Sequence, residues 1–109
     1  MDKERVVAML DRIDLPYAYH HFAEGEAPGL PYIIYYYPNT DNFGADNTVY
    51  HKALNLTLEL YSKKREFDTE WNIEDELYIE DLFWQKSETY IESEKMYMIR
   101  YEMEGAVMG

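Results

Sequence analysis

The sequence predicts one α+β domain over residues 1–109, in which two helices lie on one face of a mainly antiparallel sheet. Three observations predict this class: an apolar stripe with helical spacing near the N-terminus, a long alternating segment in the middle, and an alternating pair of segments at the C-terminus. The predicted order is α-β-β-β-α-β-β, which is typical of α+β proteins. A chain of 109 residues suits a single core.

The first helix is predicted over residues 2–14. Its apolar residues recur at i, i+3, i+4 and i+7, so they share one face. They are Val6, Met9, Leu10 and Ile13. Asp2 is a suitable N-cap, and Pro16 ends the helix because the residue before a proline avoids the α region.

Two strands are predicted before the long central one. Residues 17–22 form a short strand, and residues 24–31 form a turn-rich connection with two glycines and two prolines. Residues 32–37 run without a polar interruption until Pro38. Such a run predicts a strand covered on both faces, either by its own domain or by a neighbouring subunit.

The central strand is predicted over residues 49–62, after a loop at residues 39–47. Four leucines alternate with polar residues and should form the sheet side of the core, against the first helix. They are Leu54, Leu56, Leu58 and Leu60. The loop is rich in Asn and Asp and longer than most hairpin connections, and Phe43 is its one large apolar residue. We therefore predict an assembly contact there, with Phe43 as an anchor.

A second helix is predicted over residues 68–80, capped by Asp68 or Thr69, and a hairpin is predicted from strands at 83–91 and 96–103. The tail at residues 105–109 is expected to be loose. Residues 66–81 contain eight acids and no base, which indicates a solvated helix face. The helix places several apolar residues in one broad arc. They are Phe67, Trp71, Ile73, Leu77 and Tyr78.

Composition and motifs argue against an enzyme. The chain has no cysteine, so thiolate metal sites and cysteine nucleophiles are excluded. His20 and His21 should point to opposite faces of a strand, and His51 is the third histidine. The sequence contains no nucleophile motif and no glycine-rich phosphate loop. We therefore predict no catalytic, cofactor-binding or metal-binding residues and no cofactor.

The net charge of −12 disfavours ordinary binding to nucleic acid or to an anionic membrane. No apolar run approaches the length of a membrane span. Twelve tyrosines suit either strands or a protein interface. Three interpretations of the charge remain open: solubility, a basic protein partner, or a wall past which DNA slides.

Two segments resemble small proteins of Firmicutes siphophages and prophages, which are encoded among the head–tail joining genes. The first runs from Asn39 to Asn47 and continues into Val49, Tyr50 and the strand that ends in Leu58-Glu59-Leu60-Tyr61. The second covers residues 87–97. The order of elements is also similar to that of the tail terminator proteins of long-tailed phages.

This resemblance implies a structural virion protein of the tail and neck, assembled in the host cytoplasm. It would form a ring, expected to be a hexamer, that completes the tail tube and docks onto the head–tail connector while DNA passes through the lumen. Six residues are the candidates for assembly contacts: Phe43, Asn42, Asp46, Tyr50, Tyr35 and Tyr37. The alternatives are another head–tail connector or minor capsid protein, and an acidic DNA mimic that inhibits a host DNA-binding protein.

Overall fold

The computed structural model of the chain describes residues 1–45 and 48–108, with side chains described for residues 1–40 and 52–108. The chain begins with one helix, continues through four strands, and ends with a second helix and two strands. The elements are α1 (Lys3–Ile13), β1 (Tyr17–Tyr19), β2 (Tyr32–Tyr36), β3 (Thr40–Ala45), β4 (Thr48–Ser62), α2 (Phe67–Ile79), β5 (Gln85–Ile91) and β6 (Met96–Met108). The predicted α+β class is confirmed, with one strand more than the sequence predicted.

The strands form one mixed sheet in the order β1-β2-β4-β6-β5, with β3 as a further strand along β4. β1 runs parallel to β2, and the other pairings are antiparallel. Both helices contribute to the same buried cluster as the inward residues of β2, β4 and β6. The helices therefore cover one face of the sheet, and the opposite one is called the outer face below.

The central strand supplies the sheet side of the core, as predicted. Leu56, Leu58 and Leu60 are almost fully buried in the cluster that holds the α1 stripe, whereas Leu54 is half-buried at its margin. Antiparallel register places these leucines opposite apolar residues of β6. The pairs are Leu56 with Met103, Leu58 with Tyr101, and Leu60 with Ile99.

The segment predicted as a loop at residues 39–47 is a strand over most of its described length. β3 pairs with β4 from Thr40 opposite Leu54 to Ala45 opposite Thr48. β2 and β3 thus lie end to end along one edge of β4, with Pro38 in the interruption between them. The loop prediction was wrong because hydrogen bonding to β4 satisfies the backbone of a segment whose composition favours turns.

The tail predicted to be loose is also ordered, since β6 continues to Met108. Its backbone N–H donates to the carbonyl oxygen of Met1 at 2.8 Å. A bulge interrupts β6 at Gly105, which has φ +59°, a conformation that favours glycine. The side chain of Asn55 accepts a hydrogen bond from the Gly105 N–H at 2.7 Å, which fixes the bulge.

The first helix follows its prediction more closely than the second. The Asp2 side chain accepts from the Arg5 N–H at 2.8 Å, and Asp14 ends the helix in the left-handed conformation. α2 begins one residue earlier than predicted, and its cap residue, Glu66, makes no side-chain cap bond. No helix of the described residues is long and apolar enough to cross a membrane.

Candidate functional site

The first candidate surface is an arm formed by the ends of β3 and β4. The pairing of Ala53 with Met108 is the last one described between β4 and β6. Beyond it, residues 42–45 and 48–52 have each other as sheet neighbours in the described part of the chain. The arm therefore extends past the sheet by roughly 13 Å, the length of four strand residues.

Three of the six predicted contact residues belong to the described part of this hairpin. Asn42 pairs with Lys52, and Phe43 pairs with His51, through the backbone. Tyr50 lies in β4, while Asp46 falls outside the described residues. The side chains of Asn42, Phe43 and Tyr50 also lie outside the described residues, so the role of Phe43 as an anchor stays a prediction.

The other two predicted contact residues, Tyr35 and Tyr37, are half-buried on the helix side of the sheet and pack against the core. Tyr19 links them, with ring centroids 5.2 Å from Tyr35 and 5.7 Å from Tyr37. Burial raises the pKa of Tyr37 to about 12. Tyr35 pairs with Leu58 and Phe43 with His51, so the two sets lie at different positions along β4.

A charged cluster that the sequence did not reveal lies on the outer face. Glu59 is buried there and accepts hydrogen bonds at 2.7 Å from the hydroxyls of both Tyr36 and Tyr61. Arg100, opposite Glu59 in β6, donates to the same carboxylate from Nε at 3.2 Å and Nη2 at 2.9 Å. Only the register of three strands brings these side chains together, so sequence spacing gave no signal.

The surroundings of Glu59 keep its carboxylate charged. Burial raises the pKa of Glu59, but the hydrogen bonds from Tyr36, Tyr61 and Arg100 outweigh burial and lower it below the usual value. A general base works best with a pKa near the working pH and with a free position for a proton. Glu59 has neither property, so the geometry favours a structural role. Its hydrogen bonds hold β2, β4 and β6 together.

A second ionic network fixes α2 against the sheet. Glu70 is fully buried and accepts two hydrogen bonds from Arg65, at 2.9 Å and 2.8 Å. Lys86 of β5 contacts Glu70 at 3.3 Å and Glu74 at 2.8 Å. The hydroxyl of Tyr101 donates to Glu74 at 2.6 Å. The helix face predicted to be solvated therefore includes carboxylates that are neutralised inside the protein.

Two further arginines join α1 to α2. Arg12 contacts Glu76 and Glu80, each at 2.8 Å, and Arg5 contacts Glu80 at 2.6 Å. Together with Glu70 and Glu74, half of the eight acids in residues 66–81 are in ion pairs. Part of the acidic run therefore joins the two helices through ion pairs.

The two adjacent histidines do not lie on opposite faces of a strand as predicted. β1 ends at Tyr19, and His20 adopts φ +68°. This turn brings the Nδ1 atoms of His20 and His21 to 3.0 Å, a hydrogen-bond distance. Among the described residues, no group of three or more His, Asp or Glu side chains is placed to hold a metal ion.

The outward side of α2 carries large exposed rings. Phe67, Trp71 and Tyr78 are 51%, 58% and 84% exposed, whereas only Ile73 and Leu77 of the predicted apolar arc are buried. The predicted arc is therefore buried only in part, because Glu70 occupies some of the inward face of α2. With 3.6 residues per turn, the three rings share one side of the helix. They are called the aromatic face below.

Comparison with known proteins adds no assignment: no family model, curated protein or solved structure matches the chain. The functional argument therefore depends on the surfaces described above. They are the arm, the aromatic face and the charge distribution around them.

Proposed function

We propose that this chain is a structural phage protein that completes the tail and joins it to the head connector as a ring of identical subunits. In this proposal its α+β domain is tail terminator-like, its neighbours are the tail tube protein and the head–tail connector, and its location is the neck of the virion. The observation that carries the proposal is the arm beyond the pairing of Ala53 with Met108.

The arm needs a partner for physical reasons. An isolated two-stranded hairpin is marginally stable in water, and strands gain stability when a third strand or another layer packs on them. In the described residues the arm has no third strand. A neighbouring subunit supplies that support if each copy inserts its arm into a different surface of the next copy. Repetition of such a contact by rotation closes a ring.

Charge is compatible with a ring around DNA. The net charge of −12 repels phosphate, so DNA passes a lumen of this composition without being held. The two internal networks at Glu59 and Glu70 hold the sheet and α2 rigid. A rigid body with an extended arm suits a subunit that must fit repeatedly against copies of itself.

The experiment compares the mass of the wild-type protein with that of a variant lacking the arm. In the variant, an Asn-Gly turn joins Asn42 to Lys52, because these residues pair and Asn-Gly favours a two-residue hairpin turn. Sedimentation should show a closed oligomer for the wild type and a folded monomer for the variant. Phe43→Ala tests the same contact by a single substitution, and it should abolish assembly without changing the melting temperature. A wild-type protein that stays monomeric at every concentration overturns the ring.

Deleting the gene from the phage that encodes the chain separates the neck roles. Loss of a tail cap should give tails of uncontrolled length that do not join heads. Tails of normal length beside defective heads would instead indicate a connector or minor capsid protein.

The alternative, a DNA mimic, needs a long stripe of free carboxylates that imitates phosphate spacing. The ion pairs of Glu70, Glu74, Glu76 and Glu80 interrupt such a stripe along α2. The observed charge pairing therefore favours the assembly role. Inhibition of a host DNA-binding protein by a monomer would reverse that preference.

A further inference from the structure

We propose that the aromatic face of α2 is a docking surface for an arginine-rich segment of a different protein. This inference rests on Phe67, Trp71 and Tyr78 and is independent of the arm. The three rings span eleven residue steps, or roughly 16 Å along the helix axis. That length matches about three turns of a helical segment, or a short extended one.

The surroundings of the rings specify the chemistry of the partner. Asp68 and Asp75 are exposed, and they lie three residues before and four residues after Trp71, so they flank it on the helix surface. In the described residues neither aspartate is in an ion pair. An aromatic ring beside free carboxylates favours a cation that stacks and forms hydrogen bonds at once.

Arginine meets both requirements better than lysine. Its planar guanidinium stacks on a ring while its N–H groups reach a carboxylate. The chain already contains this arrangement at one end of the face, where the Arg65 guanidinium lies 4.6 Å from the Phe67 ring centroid and pairs with Glu70. We infer that the partner repeats the same contact at Trp71 with Asp68 or Asp75.

A second copy of the chain fits this surface poorly. All four arginines of the sequence form ion pairs with the chain's own glutamates. A copy with 22 acidic and 10 basic residues also repels another copy at an acidic helix. The cations that complement the aromatic face must therefore come from another protein.

The experiment titrates the full-length protein with an oligo-arginine peptide, with oligo-lysine and oligo-glutamate peptides of equal length as probes of chemistry. Isothermal titration calorimetry should show saturable binding of one oligo-arginine per chain, weaker binding of oligo-lysine and none of oligo-glutamate. Trp71→Ala should weaken oligo-arginine binding about five- to tenfold, as expected for a stacked cation. Trp71→Phe should recover part of that loss.

Phe83→Ala is the matched control, because Phe83 is 80% exposed and also stands near carboxylates. It lines a cleft with Gln85, Glu102 and Glu104, and the pairing of Glu102 with Thr57 places that cleft on the outer face. Phe83→Ala should leave binding unchanged. An equal loss in both variants would mean that any exposed ring near carboxylates binds the peptide, and no loss in either would mean that net charge alone attracts it. Either result overturns the proposal.

Two other results also overturn it: no saturable binding, and self-association that disappears in Trp71→Ala. The outcome is separable from that of the proposed ring. The variant without the arm should bind oligo-arginine like the wild type, and Trp71→Ala should keep the wild-type oligomeric mass.

Discussion

Replacing Arg65 by alanine should strongly destabilise the fold, because the substitution isolates a buried carboxylate. Glu70 is fully buried, and Arg65 donates to both of its oxygens. After the substitution, the remaining cation is Lys86, at 3.3 Å. The variant also loses the stacking on Phe67 and the ion pair with Glu88.

The expected loss of stability follows from the burial of each partner. Removing one member of a buried ion pair costs about 3–5 kcal/mol, since the other charge is left without compensation. Lys86 still neutralises part of Glu70, and the Arg65 side chain is 27% exposed, so the lower end applies. We expect a loss of about 3 kcal/mol, which lowers the melting temperature of a domain this size by at least about 10 °C.

The pH dependence tests the cause. Burial raises the pKa of Glu70, but hydrogen bonds from Arg65 and Lys86 outweigh it and lower the pKa below the usual value. A lowered pKa stabilises the fold above the carboxyl pKa of the unfolded chain, and this stabilisation is lost as the pH falls through the folded pKa. In Arg65→Ala, the effect of burial on the pKa of Glu70 exceeds that of the remaining hydrogen bond. Protonation of Glu70 in acid then removes the cost of burying its charge. The difference between wild type and variant should therefore shrink in acid.

The measurement is urea unfolding followed by circular dichroism, at neutral pH and again below the ordinary carboxyl pKa. Lys64→Ala is the control, since it removes one positive charge at the neighbouring, exposed position. The control should change stability by less than about 0.5 kcal/mol. Equal effects of the two substitutions, or a difference that stays constant in acid, would refute the reasoning.

Three further predictions concern the core, alkaline stability and metals. Leu56→Ala should cost about 2–5 kcal/mol in urea unfolding, because Leu56 is fully buried; an unchanged midpoint contradicts the core assignment. The hydrogen bond to Asp11 raises the pKa of Tyr17 to about 12, so its stabilisation is complete below the ordinary tyrosine pKa and is lost as the pH rises towards 12. Tyr17→Phe should therefore lose less stability than wild type in that range, as read from thermal unfolding. Dialysis against EDTA should leave the melting temperature and oligomeric mass unchanged, and a shift of several degrees contradicts this expectation.

Local patterns predicted the parts of the fold that local physics determines. The α1 stripe and the Asp2 cap depend on residues within a few turns, and both are observed. The alternation of leucines identified the buried face of β4 for the same reason. β3 escaped prediction because its stability depends on pairing with β4, and its Asn, Asp and Gly residues locally favour a turn.

The charged clusters escaped prediction because they depend on register. Glu59 and Arg100 are 41 residues apart in sequence and lie opposite each other only when β4 and β6 pair. Glu70 was assigned to a solvated run because its cations, Arg65 and Lys86, lie outside the predicted helix. The exposure of the aromatic face was not predicted for the same reason, since a buried Glu70 turns Phe67 and Trp71 outwards.

The distribution of ion pairs determines what kind of partner the protein accommodates. Arginine is the side chain best suited to bind carboxylates and phosphates on other molecules, yet every arginine of this chain is used inside its own fold. Six glutamates form these ion pairs and those of Lys86, and in the described part of the chain most of the other acids face outwards without a cation of their own. The protein therefore presents rings and free carboxylates, so the partner that we propose for the aromatic face would have to supply the positive charge. Because every arginine of an identical copy is already in an ion pair, the contacts that we propose between copies would depend on backbone pairing at the arm.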